Sequence, residues 1–243
     1  MILEGQVAII TGGGSGVGAA IARRFAQEGA QVIIGGRRVA QLEAVARGIE
    51  APRPVRVAAL DVSDREQVRA LVESVVRDFG GVDILVNNAG VNVRDRTLER
   101  LAPEDWDKLM EINATGAFNM IHAVLPLMRA RRSGLIISVS STSGLRPSAL
   151  GGAAYSAAKH ALVALTRVVG IEESANGIRA TCISPGEIDT PLLEQRPTPV
   201  SDEHRARMLQ PDDVAAAALF VASLPPRACV PELVITPTTQ PFA

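Results

Sequence analysis

Cysteine, aromatic side chains and an excess of either charge are all scarce in this sequence. Two of its 243 residues are cysteine, and aromatic residues make up 3%. Cys182 and Cys229 show no C-x-x-C spacing, so neither a disulfide framework nor a zinc ribbon is readable, and two free thiols in a reducing compartment are expected. So few aromatics leave little with which to stack single-stranded nucleic acid. Lys and Arg total 25 against 26 Asp and Glu, a net charge of −1, so the basic face that a nucleic-acid binder uses to displace counterions is missing. His122, His160 and His204 lack metal-ligand spacing, and no metal is expected. No apolar run is long enough to span a bilayer. The segment from Met1 to Gly13 has no basic stretch leading an apolar one, and reads as a first strand, not a signal peptide. A cytoplasmic protein with no membrane and no nucleic-acid partner is expected.

Hydrophobic residues are plentiful at 47%, enough for a large core in one domain spanning residues 1–243. Apolar β-branched runs alternate with segments of helical periodicity. Strands are expected at Val7–Thr11, Gln31–Gly35, Val55–Leu60, Asp83–Asn87, Leu135–Ser140, Ile178–Ser184 and Leu233–Thr236. Helices are expected at Val17–Glu28, Val39–Gly48, from a capping box at Ser63–Glu66 to Phe79, from Pro103 to about Arg131, at Ala153–Glu173 and at Pro211–Ala222. This alternation predicts an α/β fold, a doubly wound parallel sheet with helices on both faces. Residues 191–210, rich in Pro and charge, are too long for an idle connection and read as a substrate loop or lid, with a short helix at Asp202–Leu209. Trp106 and Phe118 are expected in the core. The alanine run Ala215–Ala218 suits close helix packing, between subunits or within one. Arg94 and Arg146 fall on loops near the expected mouth of the site. Each reads as a solvated charge or as a receiver of a substrate carboxylate or phosphate.

The chemistry begins at Thr11-Gly12-Gly13-Gly14-Ser15-Gly16-Val17-Gly18, between the first strand and first helix. Glycines there allow a tight turn and let the backbone approach a pyrophosphate, whose charge a helix N-terminus favours. No Lys-Ser/Thr follows, which excludes a P-loop. Taken alone, the turn is also compatible with a tight connection that binds nothing.

The turn has the form TGxxxGxG. Asn87-Asn88-Ala89-Gly90, Ser141, Tyr155-Ser156-Ala157-Ala158-Lys159 and Pro185-Gly186 follow in order. As an ordered set over essentially the whole chain, these motifs resemble the short-chain dehydrogenase/reductase family. The resemblance implies a single Rossmann-type domain with a seven-stranded parallel sheet, a homo-oligomer, commonly a tetramer, and a small-molecule carbonyl or alcohol substrate. It implies a catalytic set of Asn113, Ser141, Tyr155 and Lys159. It places the nicotinamide cofactor against Gly12, Ser15, Gly16, Val17 and Gly18, against Asp61 and Val62 after the third strand, and against Asn87, Ala89 and Gly90. Tyr155, Lys159, Pro185, Gly186, Ile188 and Thr190 complete that set.

Three departures bear on specificity. Ser141 precedes Tyr155 by one position more than in many members, so Ser140 is a rival for its role, although Gly144 favours Ser141. The C-terminal Val230–Pro237 segment lacks the Gly-Gly of fatty-acid-type ketoreductases, which leaves the substrate subgroup open. The second strand ends on Gly36 where NAD-preferring members carry an acid, and Arg37 and Arg38 follow. A guanidinium there makes charge-assisted hydrogen bonds to a 2′-phosphate, so NADP(H) is expected over NAD(H).

Tyr155 and Lys159, four apart on a helix, share a face. A free phenol titrates near 10, and the Lys159 ammonium, which favours the phenolate, is expected to lower that value toward working pH. Ser141 can hold the substrate oxygen as charge develops on it. The resemblance gives Asn113 a water that links Lys159 to solvent. His160 reads as packing. The expected reaction is hydride transfer between nicotinamide and a ketone or secondary alcohol, with Tyr155 as acid/base. The alternative is a non-catalytic NADP(H)-binding sensor or scaffold of the same fold, which is expected to have lost Ser141, Tyr155 or Lys159.

Overall fold

A strand that is apolar on both sides has to be covered on both sides. The computed structural model describes residues 1–240; the last three residues of the expected domain lie outside the described residues. Seven strands form one parallel sheet: β1 (Val7–Thr11), β2 (Gln31–Gly36), β3 (Arg56–Ala59), β4 (Ile84–Asn87), β5 (Gly134–Val139), β6 (Ile178–Pro185) and β7 (Glu232–Ile235). Their order is β3-β2-β1-β4-β5-β6-β7. The helices are α1 (Gly16–Gln27), α2 (Val39–Arg47), α3 (Arg65–Phe79), α4 (Pro103–Met110), α5 (Gly116–Arg131), α6 (Ala153–Glu173), α7 (Asp202–Arg205) and α8 (Pro211–Ser223). This is the doubly wound, Rossmann-type fold expected. The order reverses between β1 and β4, and at such a switch point a crevice opens beyond the carboxyl ends of the strands. Among the described residues no helix is long and apolar enough to cross a membrane.

Side chains alternate across the sheet with period two. Ala8, Ile10, Ile34, Val86 and Ile137 point into one layer with Ile21 and Phe25 of α1 and Val214 and Ala218 of α8. Ile9, Ile33, Leu85 and Ile136 point into the other, with Val72 and Val75 of α3 and Met120 and Val124 of α5. Ala215 and Ala218 are buried where α8 packs on α1, so this close packing is internal to the chain.

Four local expectations need correction. The N-cap of α3 is Asp64, one residue later than expected. Its carboxylate accepts from the backbone N–H groups of Glu66 and Gln67, while the Ser63 hydroxyl donates to Asp61. The helix expected from Pro103 to Arg131 is broken by a π-helical turn over Glu111–Thr115. There the Asn113 side chain donates to the Leu109 carbonyl, 2.9 Å away, and the Gly116 N–H bonds back to Glu111, five residues earlier. Trp106 and Phe118 are not in the core; they are 38% and 42% exposed, because they sit on the outer faces of α4 and α5. Finally, α7 stops at Arg205, short of Leu209. Met208 and Leu209 are instead drawn inward, and Leu209 bridges Ile188 in parallel.

Candidate active site

The carboxyl ends of β1 and β4 are tied by side chains. The Thr11 hydroxyl donates to the Val86 carbonyl and accepts from the backbone N–H groups of Asn88 and Ala89 at 3.0 Å each. The turn that follows reaches its shape through glycine: Gly12 has φ +67° and Gly16 φ +52°, a region that side-chain-bearing residues avoid. Gly12, Ser15, Gly16 and Val17 line a cleft of about 520 Å³ at the switch point. Ser15 is the N-cap of α1, yet its hydroxyl makes no capping bond. The first N–H groups of α1 and this free hydroxyl therefore face the cleft, a donor set that suits a diphosphate.

Ala89, Gly90, Pro185, Gly186, Ile188 and Thr190 line the same cleft, as does Arg38. Other residues expected around a cofactor do not line it. Arg37 points to solvent. Gly18 packs beneath the turn. Val62 is buried against Gly116, and the Asp61 carboxylate is held by the N–H and hydroxyl of Ser63 at 3.0 and 2.7 Å. Asn87 is buried at the end of β4, and neither atom of its amide has a partner among the described residues. An orphaned amide of this kind beside a glycine-walled cleft fits a nicotinamide dinucleotide.

The opposite wall carries the acid/base candidates. Ser140 and Ser141 part company: the Ser140 hydroxyl is buried and donates to the Lys159 carbonyl, whereas Ser141 stands toward Tyr155 and pulls its phenol downward. Ser141 also caps the 3-10 turn Thr142–Gly144, accepting from the Ser143 N–H at 3.1 Å, which fixes its position. Tyr155, the only tyrosine in the chain, sits in the first turn of α6. Lys159 lies one turn on, 5.7 Å from the centre of the Tyr155 ring, with its Nζ donating to the Val139 carbonyl at 2.9 Å. Burial pushes the lysine down to about 8. It also pushes the Tyr155 phenol above its ordinary value, against the pull of the Ser141 hydrogen bond and of Arg96. Lowering of the phenol by Lys159 was expected; in this cleft desolvation of the phenolate outweighs the charges around it. Asn113 does not line the cleft. Its amide is spent on both backbone groups of Val91 and on Leu109, and its Oδ1 would lie 2.7 Å from a side chain placed on Gly90.

A family model described as short chain dehydrogenase matches residues 6–200. The chain belongs to the short-chain dehydrogenase/reductase family. It is therefore an oxidoreductase of the class acting on C=O and CH–OH groups. It is 39% identical over 229 residues to a 3-oxoacyl-(acyl-carrier-protein) reductase of Thermotoga maritima, covering 92% of each chain. Among solved structures it resembles a 3-ketoacyl-(acyl-carrier-protein) reductase of Brucella melitensis complexed with NADH. The TM-score is 0.87 and the identity 34%, with 97% of this chain and 98% of that one covered. It also resembles an alcohol dehydrogenase of Thermococcus sibiricus complexed with 5-hydroxy-NADP, with TM-score 0.87, 31% identity and coverage of 98% and 99%.

The substrate side of this dehydrogenase/reductase cleft holds residues that sequence reasoning missed. Asn92, Arg96, Glu187, Arg196 and Gln240 all line it. Arg146 lines it as expected, but Arg94 does not; it is exposed and donates to the Glu194 carbonyl. Arg96 is one of three arginines in a polar stretch with no periodicity, so nothing in the sequence sets it apart from Arg94 and Arg100.

Proposed function

We propose that the chain transfers a hydride between a nicotinamide cofactor and a ketone or secondary alcohol, with Tyr155 as the proton carrier. The observation that carries this reading is the meeting of Ser141, Tyr155 and Lys159 at the cleft, with the Lys159 ammonium 5.7 Å from the centre of the Tyr155 ring. Gly12, Ser15, Gly16 and Val17 would hold the diphosphate, and Ala89, Gly90, Pro185, Gly186, Ile188 and Thr190 the rest of the cofactor. The bound nicotinamide supplies or accepts the hydride. Ser141 holds the substrate oxygen, and Tyr155 gives it a proton in reduction or takes one in oxidation. Lys159 steadies the phenolate side of that exchange, and Asn113 keeps the π-helical turn and the loop after β4 at Val91 in place behind it. Burial keeps the Tyr155 phenol protonated and able to donate, while the Lys159 charge favours the phenolate that donation leaves.

NADP(H) is the preferred cofactor, with Arg38 facing the 2′-phosphate. The lid is the 191–210 segment. The exposed apolar side chains of Phe118 on α5 and Val168 and Ile171 on α6 support a homo-oligomer, a tetramer by family, which light scattering reads directly. A cytoplasmic location is part of the same reading.

The test is oxidation of NADPH with a panel of ketones, followed by Tyr155→Phe. That variant keeps the ring and removes the proton carrier, so kcat falls by about 10²–10⁴-fold with cofactor affinity little changed. Cofactor binding with no turnover of any carbonyl or alcohol would support the sensor reading in its place. A Tyr155→Phe variant within a few-fold of wild type refutes the role given to Tyr155.

A further inference from the structure

The substrate side of the cleft is rich in guanidinium groups. Arg96, Arg146 and Arg196 line it, against one carboxylate, Glu187. That carboxylate is already engaged, 3.3 Å from Arg196 and 2.6 Å from His204. Arg96 is different. It is only 6% exposed, and no carboxylate pairs with it among the described residues. Its Nε donates to the Val93 carbonyl, its Nη1 to Leu150 and its Nη2 to Gln195. Three carbonyl dipoles solvate the cation without cancelling its charge, and two of its five N–H donors remain uncommitted. A buried charge without a counter-charge is costly, and such groups are kept where something pairs with them.

The surroundings raise that cost. Arg196 is near enough to repel Arg96, and desolvation together with this repulsion weakens the hold of Arg96 on its proton. The field of Arg96 also reaches the Tyr155 phenol, which it pulls downward. Arg96 therefore stands within electrostatic range of the reacting centre. Leu150, Leu192 and Leu193 give the same cleft apolar lining. An anion paired with Arg96 would relieve the buried cation, and a short carbon chain would place a hydroxyl at Tyr155.

Resting on the oxidoreductase reading, we propose that the substrate is a small hydroxy acid, or the corresponding keto acid, whose carboxylate pairs with Arg96. The two uncommitted N–H donors of the one guanidinium match the two oxygens of a carboxylate. In oxidation the carbinol C–H bond breaks and its hydride passes to the oxidised nicotinamide. The O–H proton goes to Tyr155, and the C–O bond becomes C=O. The carboxylate is unchanged and serves only to bind. Arg96 is thus a specificity-determining residue that also ties the loop after β4 to the loop before α6 and to the lid.

The experiment compares 2-hydroxybutyrate, 3-hydroxybutyrate and 4-hydroxypentanoate with their primary amides as substrates for the wild-type protein with saturating oxidised cofactor. At least one acid should exceed its amide by about tenfold or more in kcat/KM, the range of a charge-assisted pair. Arg96→Gln should raise the KM for that acid by about tenfold or more and cost the acid about tenfold more in kcat/KM than it costs the amide. Amides used as well as the acids, or a wider panel whose best substrates are neutral, overturn the inference and leave the oxidoreductase reading standing. Turnover of no alcohol or ketone overturns both. If Arg96→Gln loses acid and amide equally, Arg96 is a structural tie and the inference fails. Should that variant not fold, the comparison on wild-type protein still decides.

Discussion

The side-chain nitrogen of Asn88 fills the space that a side chain on Gly18 would need: a Cβ there would lie 2.4 Å from it. The same Cβ would meet the Gly12 carbonyl at 2.4 Å, and Asn88 itself bonds the carbonyls of Thr11 and Gly12 at 3.0 and 3.2 Å. Gly18 thus allows α1 to sit close under the turn without touching the cleft. Gly18→Ala is expected to destabilise the fold by about 1–3 kcal/mol and to weaken cofactor binding, because backbone has to move. Urea unfolding and cofactor titration check this; unchanged values for both would mean that the turn has room to spare.

Cofactor preference rests on the end of β2. Arg38 lines the cleft and Arg37 faces solvent, so Arg38→Ala should weaken NADP(H) by about 10–100-fold and NAD(H) far less. A Cβ on Gly36 meets nothing closer than the Leu42 side chain at 3.7 Å, so an aspartate fits there. Gly36→Asp should therefore raise the ratio of kcat/KM for NAD to that for NADP. Wild-type protein that uses NAD as well as NADP contradicts the assignment.

Lys159 makes a pH-dependent contribution whose sign follows from its burial. Its folded value is about 8, against an ordinary 10.5. Between these values the unfolded chain holds a proton that the folded chain has released, so stability rises with pH across that window. Below about 8 both states are protonated, and the folded state carries the desolvation cost in full, on the order of 3 kcal/mol. Lys159→Met should flatten the slope of unfolding free energy against pH from about 8 to 10. Parallel slopes for variant and wild type, from denaturant titrations across that range, would contradict the burial account.

Residues 191–210, the proposed lid, are tied near both ends, at Gln195 by Arg96 and at Leu209 by Ile188. Arg94 and Arg96 bond the carbonyls of Glu194 and Gln195, and the segment after α7 presents Arg207 to solvent. Trypsin should cut after Arg205 or Arg207 in the free protein, and several-fold more slowly when cofactor and substrate are both bound. Cleavage at the same rate with and without ligands speaks against closure of this segment.

The sequence alone determined the α/β alternation and the strand and helix order, and it singled out Gly12, Tyr155 and Lys159 as candidates. Each is written in short-range pattern: period-two apolar runs, a glycine turn after the first strand, and a tyrosine and lysine one helical turn apart. The tertiary structure decided what depends on neighbours distant in the chain. Asp64 caps α3 in place of Ser63, because the Ser63 hydroxyl turns to Asp61. The π-helical turn exists because Asn113 reaches Val91, 22 residues earlier, as well as Leu109. Only the fold separates Ser140 from Ser141, sending one hydroxyl to the Lys159 carbonyl and the other to Tyr155. Only the fold draws Arg96 inward from among look-alike arginines, since its three backbone acceptors, Val93, Leu150 and Gln195, come from loops that meet after the sheet has formed. Burial, which sets the charge of Lys159 and Tyr155, is a property of that packing and has no local signature.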